Sequence, residues 1–346
     1  MKKGNKYGIH RVIEPKGALP QPAIKISNEM TIYNNEILID VDYLNIDSAS
    51  FTQLREEAQD DMEKVKKRII EIVNQKGKMQ NPVTGSGGML IGKVEQIGDA
   101  IKKKIDLHIG DKIATLVSLS LTPLRIDAII NIQPEIDRVE IKGKAILFES
   151  GIYAKIPEDI EDTLALAALD VAGAPAQVKK LVKEGDMVLI LGATGKSGLM
   201  CSYMARKTVG KKGKVIGQSR NKARAEFLRN TNFCNEVIIA DVLNPVNVLE
   251  ETLKINNGQE VDISINCLSI PNTEMASILP VRDGGVVYFF SMATSFTKAA
   301  LGAEGVGKDV TMIIGNGYTK NHAQITLDLI QESEILRKIF KEKYLR

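Results

Sequence analysis

The sequence predicts an α/β protein in two parts: a mostly β N-terminal half, then a doubly wound parallel sheet. Three observations predict it. Before residue 150 the chain reads as short strands set off by glycine, proline and asparagine turns. From about residue 157, buried-looking strands alternate with helical segments, the rhythm of a parallel sheet covered on both faces. Between them, "VLILGATGKSGLM" (188–200) runs as a strand, breaks into three glycines and resumes as a helix. A length of 346 residues suffices for two cores.

The elements follow in order. "NEILIDVDYLNI" (35–46) alternates at period two around Leu38, Asp40 and Asp42, as a half-buried strand does. "GMLIGKVEQIG" (88–98) and "DKIATLVSL" (111–119) read alike. The segment 52–78 instead predicts one inserted helix, with Met62, Val65, Ile69, Ile72 and Val73 on a single face. Asp60–Lys64 and Glu63–Lys67 are four apart on its other side. A solvated surface helix is the plain reading; a lid over a cleft is the functional one. "EDTLALAALDVAGAPAQV" predicts an apolar helix, and strands follow at "DMVLILGA", "GKVIGQS", "EVIIAD", "VDISINCL", "GGVVYFF" and "DVTMIIG". An amphipathic helix closes the chain. The expected domains are therefore 1–156, 157–318 and a helical segment 319–346.

Composition narrows the class. Forty-six basic against 43 acidic side chains leave a charge of +3, too small and too evenly spread to point to nucleic acid or a membrane surface. Cys201, Cys234 and Cys267 are widely spaced, which fits neither a disulfide framework nor a zinc ribbon. No apolar run reaches membrane-spanning length, and the first residues lack a secretory apolar core. A cytoplasmic protein is expected.

Gly192, Gly195 and Gly198 stand between a strand and a helix, in a run that also holds Ala193, Thr194, Lys196 and Ser197. Absent side chains allow a tight turn, close approach to a diphosphate, and tight packing of helix on strand. The helix N-terminus adds free N–H groups and a positive dipole end. This context predicts a Rossmann dinucleotide site rather than a structural turn or a P-loop. The next strand ends at Ser219 and Arg220, where NAD sites carry an acid and NADP sites a base. That favours NADP, unless Arg220 is only a surface arginine. Asp241, Asn266, Cys267, Leu268 and Ser291 lie at the carboxyl ends of further strands, beside the expected cofactor path; Leu268 is otherwise core.

The glycine turn and "GSGGMLIGKVEQIGDAIKKKIDLHIGDKIATL" (85–116), with Gly88, Gly92, Gly98 and the Gly110-Asp111 turn, resemble the medium-chain dehydrogenase/reductase superfamily. The resemblance implies a GroES-like β domain before the Rossmann domain, with the active-site cleft between them. More narrowly, "GIHRVIEPKGALPQPAIKI" (8–26), "GSGGML" and "LGATGKSGLM" look like the 3,5-diaminohexanoate dehydrogenases of anaerobic lysine fermentation. That implies NAD-linked oxidative deamination at carbon 3, giving 5-amino-3-oxohexanoate and ammonia. NAD and NADP both stay open.

Zinc-dependent members of the superfamily carry metal ligands at three places that read here as Asp47, Ser86 and Asp170. Two carboxylates and a hydroxyl suit tetrahedral zinc poorly, so no metal is expected. A carboxylate could instead hold the reacting ammonium, take its proton and orient water, while a second binds the other ammonium. Asp47 and Asp170 are the candidates, assisted by Ser48 or Ser86; the plain readings are a turn or cap residue and a helix-end acid. Arg11 and Arg125 are unranked candidates for the substrate carboxylate. His10, His108 and His322 read as structural, and Tyr153 and Lys155 as either. Two rivals remain: a zinc-free quinone or enoyl reductase using NADPH, and a non-catalytic nucleotide sensor with 52–78 as its partner surface. The strand at 309–318 would form a sheet edge, so a homodimer is expected.

Overall fold

The computed structural model describes residues 2–291, 293–315 and 317–344. The chain divides into two compact units, one ending at Leu166 and one spanning Ala167–Tyr344. The division falls inside a helix, α3 (Asp162–Leu169), defined below in chain order.

In the first unit β1 (Val12–Glu14) pairs with β2 (Lys25–Ile26). The main sheet holds β3 (Glu36–Asn45), β4 (Met89–Ile97), β5 (Lys112–Thr115), β6 (Leu124–Gln133), β7 (Arg138–Phe148) and β8 (Tyr153–Lys155). Its order is β6-β7-β3-β4-β5-β8, all antiparallel. In β3, exposed Asp40 lies between buried Ile39 and Val41, as the predicted alternation requires, but Glu36 and Leu38 are buried too, and past Asp42 the buried position moves to Leu44. Asp42 is skipped in the pairing of β3 with both neighbours, a bulge at the centre of the sheet.

The inserted segment is two helices, not one: α1 (Ser48–Glu57) and α2 (Met62–Lys76). Gln59 and Asp60 take positive φ, 54° and 58°, which stops α1, and Asp61 restarts the chain by accepting from the Glu63 and Lys64 amides. The ion pairs shift with the break, to Arg55–Asp60, Lys64–Asp61 and Lys66–Glu63. The predicted apolar face holds. Val65, Ile69, Ile72 and Val73 are buried against the sheet, each worth roughly 1.5–3 kcal/mol of burial.

The second unit contains the rest of α3, then α4 (Gly173–Leu181), β9 (Met187–Leu191), α5 (Lys196–Val209), β10 (Lys214–Ser219), α6 (Lys222–Thr231) and β11 (Glu236–Ile239). α7 (Pro245–Ile255), β12 (Val261–Asn266), α8 (Glu274–Ile278), β13 (Val281–Phe289), α9 (Phe296–Gly305), β14 (Val310–Ile314), α10 (His322–Glu332) and α11 (Glu334–Tyr344) complete it. The sheet is parallel, ordered β11-β10-β9-β12-β13-β14. Its connection reverses between β9 and β12, the switch point at which open α/β sheets bind ligands. β14 is an edge strand, as the sequence predicts, although residue 316 of the 309–318 segment lies outside the described residues. The expected apolar helix near residue 170 is split into α3 and α4, and the closing helix is split at Ser333. No described helix is long and apolar enough to cross a membrane.

Candidate active site

The switch point opens into a cavity of about 1100 Å³ within the second unit. Gly192, Thr194, Gly195, Lys196, Ser197, Ser219, Arg220, Asp241, Cys267, Leu268 and Ser291, all singled out in the sequence, line it. Two glycines show why the turn is bare. A Cβ on Gly198 would sit 2.1 Å from the Gly192 carbonyl oxygen, so helix α5 could not close on β9. A Cβ on Gly195 would meet only that oxygen, at 3.4 Å, and would otherwise project into open space. Gly195 begins α5 without a side-chain cap, leaving the first amides of a 14-residue helix for an anion. These residues fit a dinucleotide diphosphate.

Three of the expected residues stand behind this wall rather than in it: Gly198, packed against Gly192, and two buried neighbours. Ala193 is fully buried. Asn266 is buried too; its amide donates to Thr273 and Ser277 at 2.9 Å, and its carbonyl accepts from the Leu268 amide. It shapes the loop that carries Cys267 and Leu268. Sequence reasoning missed Gln218, whose side chain accepts from the Gly192 amide at 3.0 Å and donates to the Ala240 carbonyl at 2.8 Å. This buried amide ties β10 and β11 to the glycine turn. Its signal was a polar residue inside an apolar strand.

Asp170, just past α3, also lines the cavity, and its carboxylate meets Lys196 Nζ at 2.8 Å. Its side chain is 59% exposed, so the pair itself adds little stability. The helix-end reading of Asp170 is thus correct in position, and its charge is partnered.

The other candidate acid lies in the first unit, where the end of β3 meets the starts of β4 and β7. Asp47 follows β3 and caps α1, one carboxylate oxygen accepting from the Ser50 amide at 3.0 Å. The cap reading is therefore right, but it uses half the group. The second oxygen, Oδ2, is buried and has no hydrogen-bond partner among the described residues, an arrangement that costs free energy unless something fills it. Ser48 is exposed and donates to the Asp137 carboxylate. Ser86 is half-buried in the loop before β4; that loop reaches α1 through a hydroxyl–hydroxyl bond between Thr84 and Ser50. Gly88 on the same loop could not carry a Cβ, which would fall 2.7 Å from the Asp47 amide.

Arg138, the first residue of β7, pairs in register with Asn45, and its guanidinium stacks on the Tyr43 ring at 4.8 Å. Its Nε is buried without an acceptor among the described residues. The arginines singled out by sequence are used otherwise. Arg11 spends its guanidinium on Glu36 and on the carbonyls of Glu29 and Thr31, and Arg125 pairs with Asp127. Of the histidines, His10 bonds Glu36, and burial lowers the pKa of His322. Lys155 pairs with Asp111. No three histidine, cysteine, aspartate or glutamate side chains gather as a metal site among the described residues. Asp47 with Ser86, and a separately paired Asp170, remain a poor donor set for zinc.

Residues 10–157 match the family model described as the L-erythro-3,5-diaminohexanoate dehydrogenase N-terminal domain. The L-erythro-3,5-diaminohexanoate dehydrogenase of Acetoanaerobium sticklandii is 69% identical over 343 residues, spanning 99% of this chain and 100% of the relative. This chain belongs to the L-erythro-3,5-diaminohexanoate dehydrogenase family. The Fusobacterium nucleatum member is 67% identical over 345 residues, the whole of both chains. Solved structures add the fold alone. A mycobacterial quinone oxidoreductase superposes with a TM-score of 0.56 at 14% identity, covering 94% of this chain and 93% of its own. The Escherichia coli quinone oxidoreductase complexed with NADPH gives 0.54 at 15% identity, with 89% and 82% covered. The family member described here is thus a dehydrogenase on the medium-chain reductase fold, and the quinone reductase and sensor readings are not favoured.

Proposed function

We propose that this dehydrogenase removes the 3-amino group of L-erythro-3,5-diaminohexanoate oxidatively, in the fermentation of lysine, with NAD as its usual acceptor. Full-length identity of 69% and 67% to two dehydrogenases of that name carries the reading. The cavity supports a dinucleotide: bare amides at 192–198 would hold the diphosphate, and Ser219 and Arg220 would hold the adenosine ribose. No carboxylate ends β10, so the ribose 2′-position is not closed to phosphate, and NADP is tolerated. Nicotinamide supplies a hydride acceptor when bound. Lys196, held by Asp170, adds positive charge beside the diphosphate.

Asp47 is the acid–base residue on this reading. Its unfilled Oδ2 accepts a hydrogen bond from the 3-ammonium, then takes one proton, which frees the nitrogen lone pair. With that lone pair free, carbon 3 could give up hydride and become an iminium. Asp47 passes that proton to solvent and, as carboxylate again, takes one from the water adding to carbon 3 and delivers it to the nitrogen. Collapse expels ammonia and leaves the 3-oxo product. The balance is one water consumed, one ammonium released, one nicotinamide reduced and one proton freed. Ser48 and Ser86 steady the acid and the water. Arg138 receives the substrate carboxylate, because its guanidinium is stacked in place yet lacks an ion-pair partner among the described residues. Pairing of two copies along β14 makes the enzyme a cytoplasmic homodimer.

The test is direct. Purified protein, NAD and the diamino acid should yield reduced nicotinamide and ammonia in equal amounts, with a slower reaction on NADP. Reduction of quinones by NADPH without amine turnover would replace the reading.

A further inference from the structure

Two of the three cysteines, 66 positions apart in sequence, meet at the cavity wall. Cys267 follows β12 and lines the cavity; Cys201 lies in the second turn of α5 and is fully buried. Their sulfurs are 3.7 Å apart. Cys234 is buried elsewhere, against Ser202. Burial raises the pKa of the Cys201 thiol well above its usual value, so the cavity-facing Cys267 meets a dissolved oxidant first.

We propose that Cys201 and Cys267 form an oxidative modification site that switches off nucleotide binding. The oxidant is a peroxide. The Cys267 thiolate attacks a peroxide oxygen, the O–O bond breaks, and sulfenic acid and water result. The Cys201 thiol then attacks the Cys267 sulfur, loses its proton to the departing hydroxide, and leaves a disulfide and a second water. Two thiols are oxidised by two electrons, and one peroxide is reduced to two waters.

Closure couples to the ligand site through the loop after β12. A disulfide needs sulfurs about 2.05 Å apart, so one side must approach the other. α5 is held by its burial: Leu199, Met200, Cys201, Ser202 and Ala205 are all fully buried, and the helix packs tightly on β9 at Gly198. Cys267 therefore moves, and it carries Leu268, whose side chain lies 2.8 Å from where a Gly192 Cβ would be. The wall formed by Cys267, Leu268, Ser269 and Ile270 shifts against the glycine turn. The same placement works in reverse: a dinucleotide in the cavity covers Cys267 and slows its oxidation. Both halves rest on the dinucleotide reading above.

The experiment exposes the full-length protein to hydrogen peroxide, with and without saturating NAD, and follows three readouts. Free thiols should fall from three to one, peptide mapping should show a Cys201–Cys267 link, and NAD affinity should drop tenfold or more. Dithiothreitol should restore all three, and NAD should slow the thiol loss. Cys201→Ala should bind NAD as the parent does yet form no link; Cys201→Ser serves where the alanine variant fails to fold. Three thiols persisting while glutathione in the same tube is oxidised would overturn the proposal, as would a link that leaves NAD affinity unchanged. A reduced protein with no NAD affinity at all would instead remove the dinucleotide reading.

Discussion

The glycine turn of the second unit and the strand ends of the first build their ligand groups in opposite ways. At 192–198 the chain offers uncapped backbone amides, and side chains are absent where a Cβ would crowd the turn or enter open space. At Asp47 and Arg138 it offers side-chain charges, each with one buried atom, Oδ2 and Nε, that has no partner among the described residues. The first kind of site depends on local chain geometry and tolerates little added volume. The second depends on which strands pair, and tolerates little loss of charge. Substitution should therefore separate them cleanly.

Asp47→Asn is the largest effect. It keeps the cap and its shape but removes the proton acceptor, so turnover should fall about a thousandfold or more with NAD affinity unchanged. Initial rates and nucleotide titration on one preparation check this; a variant that turns over like the parent removes Asp47 from the chemistry. Arg138→Met comes next. It should raise the KM for the diamino acid by about a hundredfold and abolish the preference for the acid over its carboxamide. If the preference survives, the carboxylate is held elsewhere.

Stability also divides the units, through the buried Arg11–Glu36 pair in the first. Burial pushes the Glu36 pKa up, but bonds from Arg11, His10 and the Tyr33 amide outweigh it and hold the group at about 2, against an ordinary 4.5. The unfolded chain then binds the extra proton between those values. The contribution, about 3 kcal/mol, is full above pH 4.5 and lost as pH falls toward 2. Urea midpoints measured down this window should fall in the parent and stay flatter in Glu36→Gln; parallel curves would show that Glu36 contributes nothing there. The smallest effect is Gly195→Val, which places methyl groups in the cavity and should weaken NAD binding by tens of fold while leaving the acid-stability profile intact. Isothermal titration decides it, and undiminished affinity would move the diphosphate away from the turn.

The difference between the two sites is also the difference in what could be read in advance. A strand, three glycines and a helix are consecutive, so the turn and the cavity wall at Thr194, Lys196, Ser219 and Cys267 were legible from spacing. The parallel sheet and its edge strand followed from alternation alone. Breaks inside helices were not legible: residues 59 and 60 interrupt an apolar stripe that remains in phase on either side. Asp47 and Ser86 were singled out by resemblance, and Arg138 was not, because its importance lies in being paired with Asn45, 93 positions earlier in the chain.

By itself the sequence determined everything that acts over a few residues: the period of each strand, the stripe of α2, and the bare amides at the head of α5. Only tertiary structure decided which polar atoms went without partners among the described residues, Asp47 Oδ2 and Arg138 Nε among them, and which distant groups touched, such as Gln218 with Gly192 and Cys201 with Cys267. The reason is physical. Local geometry is a property of neighbouring dihedrals and side chains, whereas an unmet hydrogen bond or a sulfur–sulfur approach exists only once remote segments have excluded water together.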